Sequence, residues 1–251
     1  VTAIDGTPIL DAVIEIAKNW QVPVTQSASK SLGKAAADIQ AADLIVTAED
    51  SQSDVIRNLG YQGVLRSYEE IVEDKDFVPI DPVGLLPDAM SRELGKVGAL
   101  TLRAALDAKG FPHAHNIHVV IPHGVSDLGV ALAHAQMARI DEGAILIDAD
   151  LRAPIVNEIE DLGLERIFFD VDQIGILETE HVNTQQILTH PRQVDFPERY
   201  FLSPSWRTWI QQLAERSPVV IITAPRHSRA RRLADSYLAS YMADEFTVIS
   251  A

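Results

Sequence analysis

Short apolar runs rich in valine and isoleucine alternate with amphipathic stretches along the chain. Residues 1–4, 22–25, 44–47, 63–65 and 77–80 predict strands, and residues 9–19 place apolar side chains at helical spacing. A helical segment follows over about 85–108, broken by Gly95 and Gly98 and stopped by Lys109-Gly110-Phe111-Pro112. A second series then begins: a strand at 117–121, a helix at 127–139 and a strand at 144–147. Such fully apolar runs suit a parallel sheet covered on both faces. Residues 156–199 show little pattern and are broken by Pro191 and Pro197. Beyond them, 200–202 predicts a strand, 206–215 a helix, 219–222 a buried strand, 228–240 a helix and 246–249 a last strand. The alternation predicts an α/β protein in two units, residues 1–108 and 115–251, each built on a mainly parallel sheet.

Composition narrows the classes of function. No window approaches the roughly 18 uninterrupted apolar residues of a membrane-spanning helix, and the first residues lack the pattern of a secretory leader. Without cysteine there is no disulfide framework, thiol nucleophile or zinc ribbon. The expectation is a cytoplasmic protein. A net charge of -15 disfavours general nucleic-acid binding, because most of the surface repels a phosphate backbone. Against that background Arg226-His227-Ser228-Arg229-Ala230-Arg231-Arg232 is an island of positive charge. On a helix Arg229 and Arg232 share a face with Arg226 at its start, and the set suits either an anionic partner or pairing with nearby acids. His113, His115, His118 and His123 are dense, yet no carboxylate accompanies them in that segment, so no metal site is assigned.

The segment with most chemistry joins the strand at 117–121 to Pro122-His123-Gly124-Val125-Ser126-Asp127, then leads to Leu146-Ile147-Asp148-Ala149-Asp150-Leu151-Arg152. A strand, a glycine-containing turn and a helix form the geometry in which helix N-terminal amides face a phosphate. A strand-terminal aspartate such as Asp148 or Asp150 also caps a following turn without any ligand.

Together with Leu202-Ser203-Pro204-Ser205-Trp206 and Val220-Ile221-Ile222-Thr223-Ala224-Pro225-Arg226, these elements resemble the MinD/ParA family of deviant Walker ATPases, and within it the CpaE-like, septum-site-determining proteins. The resemblance implies a P-loop NTPase-like domain over 115–251, apparently cut short at its C-terminus, behind a receiver-like, flavodoxin-like domain with a trailing helix over 1–108. It also implies a nucleotide site at Gly124, Ser126, Asp148 and Asp150, beside the phosphate loop, with ATP and magnesium as cofactors where that site is intact. Here Val125 stands at the position of the family's phosphate-binding lysine and Thr223 at that of its magnesium-orienting aspartate. Pro122 cannot donate an amide to a phosphate. In the receiver-like half Asp81-Pro82 replaces the lysine-proline that neutralises a phosphoryl group, although Asp5 and Glu49-Asp50 supply acids. The resemblance thus implies a degenerate site with no cofactor and no catalytic residues. It points to a protein that acts by binding partners in septum placement or in secretion or pilus assembly and can pair with a second copy; the charge island read above offers Arg226, Arg229 and Arg232 as a partner surface. Recruitment to a membrane or cell pole would then run through those partners. A magnesium-dependent ATPase of the same family is the alternative.

Overall fold

The computed structural model describes residues 6–24, 28–72, 77–110, 117–121, 144–154, 165–174, 186–224, 228–243 and 249–250. The chain is a mixed α/β structure with parallel sheets. Helix α1 (Asp11–Asn19) is followed by α2 (Ala36–Ala41), β1 (Leu44–Thr47), α3 (Asp50–Asn58), β2 (Val64–Ser67), α4 (Tyr68–Ile71) and the long α5 (Pro87–Ala108). Then come β3 (Ile117–Ile121), β4 (Ile145–Asp148), β5 (Glu165–Phe168), β6 (Gln186–Thr189), α6 (Glu198–Phe201), α7 (Pro204–Ala214), β7 (Val219–Ile222), α8 (Ala230–Ser240) and β8 (Ile249–Ser250). Strands β3 to β8 form one sheet in the order β5-β6-β4-β7-β3-β8, and every neighbouring pair is parallel. All residues of β4 and β7 are buried, as their unbroken apolar runs predict.

The first half departs from the expected five-strand sheet. Its described residues hold the parallel pair β1-β2, while 22–24 and 77–80 form no strand and 1–4 lie outside the described residues. Pro23 and Pro79 interrupt those two segments, and proline has no N–H to give to a ladder. Val22 and Val24 remain exposed, and Phe77 packs instead with Tyr68, Val72 and Leu100. Residues 200–202, expected as a strand, instead form the end and C-cap of helix α6. Pro197 opens α6 with its φ already near the helical value, and Phe201 turns inward against Trp206, with ring centroids 5.0 Å apart. Residues 127–139 and 244–248 lie outside the described residues.

Helix α5 runs through Gly95 and Gly98 without interruption. These glycines serve close packing: a Cβ at Gly95 would lie 2.7 Å from the Ala234 Cα on α8, and one at Gly98 would lie 3.1 Å from Leu238 Cδ2. Helix α5 thereby joins the two halves. One side meets α8 and the core of the large sheet, and Leu100 meets the Tyr68 cluster. Two of its buried polar residues find partners within and beyond the helix. Glu93 accepts from Arg92 Nε at 2.7 Å and from the Ile80 amide at 3.1 Å, while Arg103 donates to the Ala243 carbonyl.

The two glycines should respond differently to alanine. Gly95→Ala forces backbone of α8 away and should destabilise the protein by about 1–3 kcal/mol, the range for overpacking a filled core. At Gly98 the neighbour is the end of a flexible leucine, so the helix-propensity gain of up to about 1 kcal/mol should offset most of the strain. Urea unfolding of both variants checks this order.

Candidate functional site

A parallel sheet brings the carboxyl ends of its strands to one side, where α/β proteins place their ligand crevices. Strand β4 ends on Asp148, which is fully buried. Its Oδ2 accepts from Thr189 Oγ1, at the end of β6, at 2.8 Å, and its Oδ1 accepts from the Asp150 amide at 3.1 Å. Strand β7 lies between β3 and β4, so Asp148 does not neighbour the end of β3; it stands in register with Ile222. Thr223, one residue further, is buried and donates its amide to the Val120 carbonyl at 3.0 Å. Gly124, Ser126 and Arg226 lie outside the described residues, as do Pro122, His123 and Val125. Of the four histidines singled out, His118 is described, part-buried on β3.

Asp150 and Arg232, assigned from the sequence to different roles, meet in the fold. Arg232 Nη2 pairs with Asp150 Oδ2, and its Nε lies 3.3 Å from Oδ1. Burial pushes the Asp150 carboxyl above its ordinary pKa, outweighing the downward pull of Arg232 and Arg152. Arg229 immediately precedes α8 and is exposed.

Beside this pair is a larger network that sequence reasoning missed. Arg152 follows β4 with only 11% of its side chain exposed. Its Nε pairs with Asp235 of α8, its Nη2 donates to Glu198 Oε1 of α6 at 2.6 Å, and its Nη1 donates to the Asp195 carbonyl. Trp20 Nε1 also donates to Glu198 Oε1, at 3.1 Å. Arg231 Nε stands 3.8 Å from the same oxygen, with 44% of its side chain exposed. One guanidinium is therefore shared between two buried carboxylates. Burial raises the pKa of Asp235 to about 7; Arg152 pulls it down, while the charge of Glu198 adds to the rise. The one signal for this network was Arg152 itself, because a cation drawn into a core needs acids around it. Its acids lie 46 and 83 residues away, and no local pattern names them. Among the described residues no group of three or more histidine or acidic side chains is placed to hold a metal ion. No described helix is long and apolar enough to cross a membrane.

No protein-family model matches this chain, and no curated protein does. Among solved structures, the BceF tyrosine kinase domain is similar over 95% of this chain and 83% of its own, at 15% sequence identity and a TM-score of 0.35. A likeness of that size assigns no family.

Two outcomes follow from the network. Arg152→Ala leaves Asp235 and Glu198 buried without their shared cation and should cost about 3–5 kcal/mol in urea unfolding. Asp235 should also make stability depend on pH. Its folded pKa, about 7, lies above the ordinary 3.8, so between those values the folded state holds a proton that the unfolded state has lost. Its contribution is full below the lower value and is lost as pH rises through the upper one. The stability difference between wild type and Asp235→Asn should therefore shift against wild type from about pH 4 to 7 and level off above, read by chemical unfolding across that range.

Proposed function

We propose that this chain is a P-loop NTPase-like protein of the MinD/ParA, CpaE-like kind that works by binding other proteins and does not hydrolyse ATP. The process would be septum-site placement or assembly of a secretion or pilus apparatus, in the cytoplasm and with a second copy among its partners. The observation that carries this reading is the engagement of both acids of the Asp148-Ala149-Asp150 element. Asp148 is turned into hydrogen bonds from Thr189 and from its own backbone, and Asp150 is held by Arg232. Magnesium would have to compete with these partners for both carboxylates. Thr223 supplies no carboxylate at the end of β7, and Val125 no cation in the loop after β3. The parallel pair β1-β2 and its flanking helices support a receiver-like unit in the first half. On the charge island, Arg229 and Arg231 are exposed and can meet an acidic partner surface, while Arg232 is part-buried and paired with Asp150.

Calorimetry with ATP and magnesium tests the proposal. No saturable heat is expected up to about millimolar nucleotide, and phosphate release should match a blank without protein. Saturable micromolar binding that disappears in Asp148→Ala would overturn the reading in favour of a magnesium-dependent ATPase.

A further inference from the structure

Among the described residues the three most exposed large apolar side chains are Ile80 at 54%, Val83 at 70% and Leu86 at 78%. All three sit in the segment that leads from Phe77 into α5. Their exposure is built, because the segment is tied at several points. The Ile80 amide donates to Glu93 Oε2, buried on α5, at 3.1 Å, and the Val83 amide to Asp81 Oδ1 at 2.9 Å. The Leu85 amide closes a turn onto the Pro82 carbonyl at 3.2 Å, with Gly84 in its third position at φ +83°, a conformation that favours glycine. Pro87 then starts α5. A loop ordered in advance binds at less entropic cost, and apolar side chains held outward on it mark an interaction surface.

Charge decides what covers that surface. From Phe77 to Asp88 the segment carries Asp81 and Asp88 and no lysine or arginine, so an anionic lipid surface repels it. Beside the loop, Pro87 and Asp88 line a cleft of about 240 Å³ together with Ala12, Glu15 and Ile16 of α1 and Arg231 of α8. Glu15 and Asp88 are exposed, Arg231 keeps 44% of its side chain exposed, and Arg229 is exposed just before α8. One face thus holds an apolar projection, an adjoining hollow with some apolar wall, acids and cations. A contact between two copies about a two-fold axis needs such a self-complementary surface, since the same patch serves on both sides.

We infer that this face joins two copies of the chain about a two-fold axis. Val83 and Leu86 of each copy meet the loop and cleft of the other, and Asp88 of each stands beside Arg229 and Arg231 of the other. The second copy, already proposed as a partner, thereby gains a surface. That surface needs none of the strand-end acids, so ATP binding and dimer formation fail separately. Sedimentation velocity of the full chain from about 1 to 200 µM should show monomer passing to dimer with a Kd of about 1–50 µM, as suits a modest interface. Val83→Ser/Leu86→Ser should raise that Kd about tenfold or more and leave the urea midpoint at the wild-type value, because both side chains already stand in water. Asp88→Lys and Arg229→Glu should each weaken association several-fold by setting like charges together. An equal mixture of those two variants should regain most of the lost affinity, because the mixed dimer has one charge-reversed contact and one native contact. A monomer throughout, unchanged association of the serine variant, or no recovery in the mixture overturns the inference. Flotation of a monomeric wild type on phosphatidylcholine vesicles, lost in the serine variant, assigns the loop to a lipid surface and overturns it as well. Should Asp88→Lys or Arg229→Glu fail to fold, the serine variant decides.

Discussion

A guanidinium withdrawn from water must find acceptors for its donors, and Arg152 finds them on three separate parts of the chain. Asp235 comes from α8, Glu198 from α6, and the Asp195 carbonyl from the loop before α6. Glu198 in turn takes the indole N–H of Trp20, just beyond α1, and Arg199 donates to the Asn19 carbonyl at the end of that helix. One cation thus fixes the end of β4 relative to two helices of the second half and one of the first. Charges this deeply buried are tolerable only together, because each alone would carry its desolvation cost without return. The network accordingly acts as a positional constraint more than as a source of net stability.

The packing of α5 against α8 sets where that constraint operates. Gly95 allows the backbone of α8 to approach at Ala234, and the next residue, Asp235, reaches Arg152. The Phe77 ring meets Tyr237 edge-on, with centroids 5.4 Å apart, and Lys96 lies over the same tyrosine at 5.6 Å. Helix α8 therefore carries contacts on several faces: Ala234 towards α5, Asp235 and Arg232 towards the ends of the strands, and Arg231 towards Glu198. Moving it would disturb the pairing of Asp150 and the surroundings of Glu198 at once.

Strand ends in a parallel sheet usually leave acids facing a crevice, and here the acids face their own protein. Asp148 accepts a hydroxyl from the neighbouring strand, and Asp150 accepts a guanidinium from α8. Such internal pairing keeps charge at the carboxyl edge in place without a bound cation. Among the described residues, Glu198 Oε2 is a buried acceptor without a donor, on a short helix whose last residues were expected to form a strand.

Strands β3, β4 and β7 were legible in the sequence because burial on both faces demands unbroken apolar runs, and that demand is local. Helices α1, α5, α7 and α8 were legible for a similar reason, since one apolar face repeats along each of them. The extended segments around Pro23 and Pro79 looked like strands by composition, but the missing amides kept them out of a ladder. Residues 200–202 have β-forming side chains, and only their packing against Trp206 shows why the helix opened by Pro197 prevails. The sequence likewise showed Asp150 and Arg232 as unrelated acid and base, and Arg152 as one member of a motif. Tertiary structure alone decided that the first two pair and that Arg152 joins Glu198 to Asp235, because the order in which parallel strands assemble sets which distant charges become neighbours, and nothing in a local run of residues encodes that order.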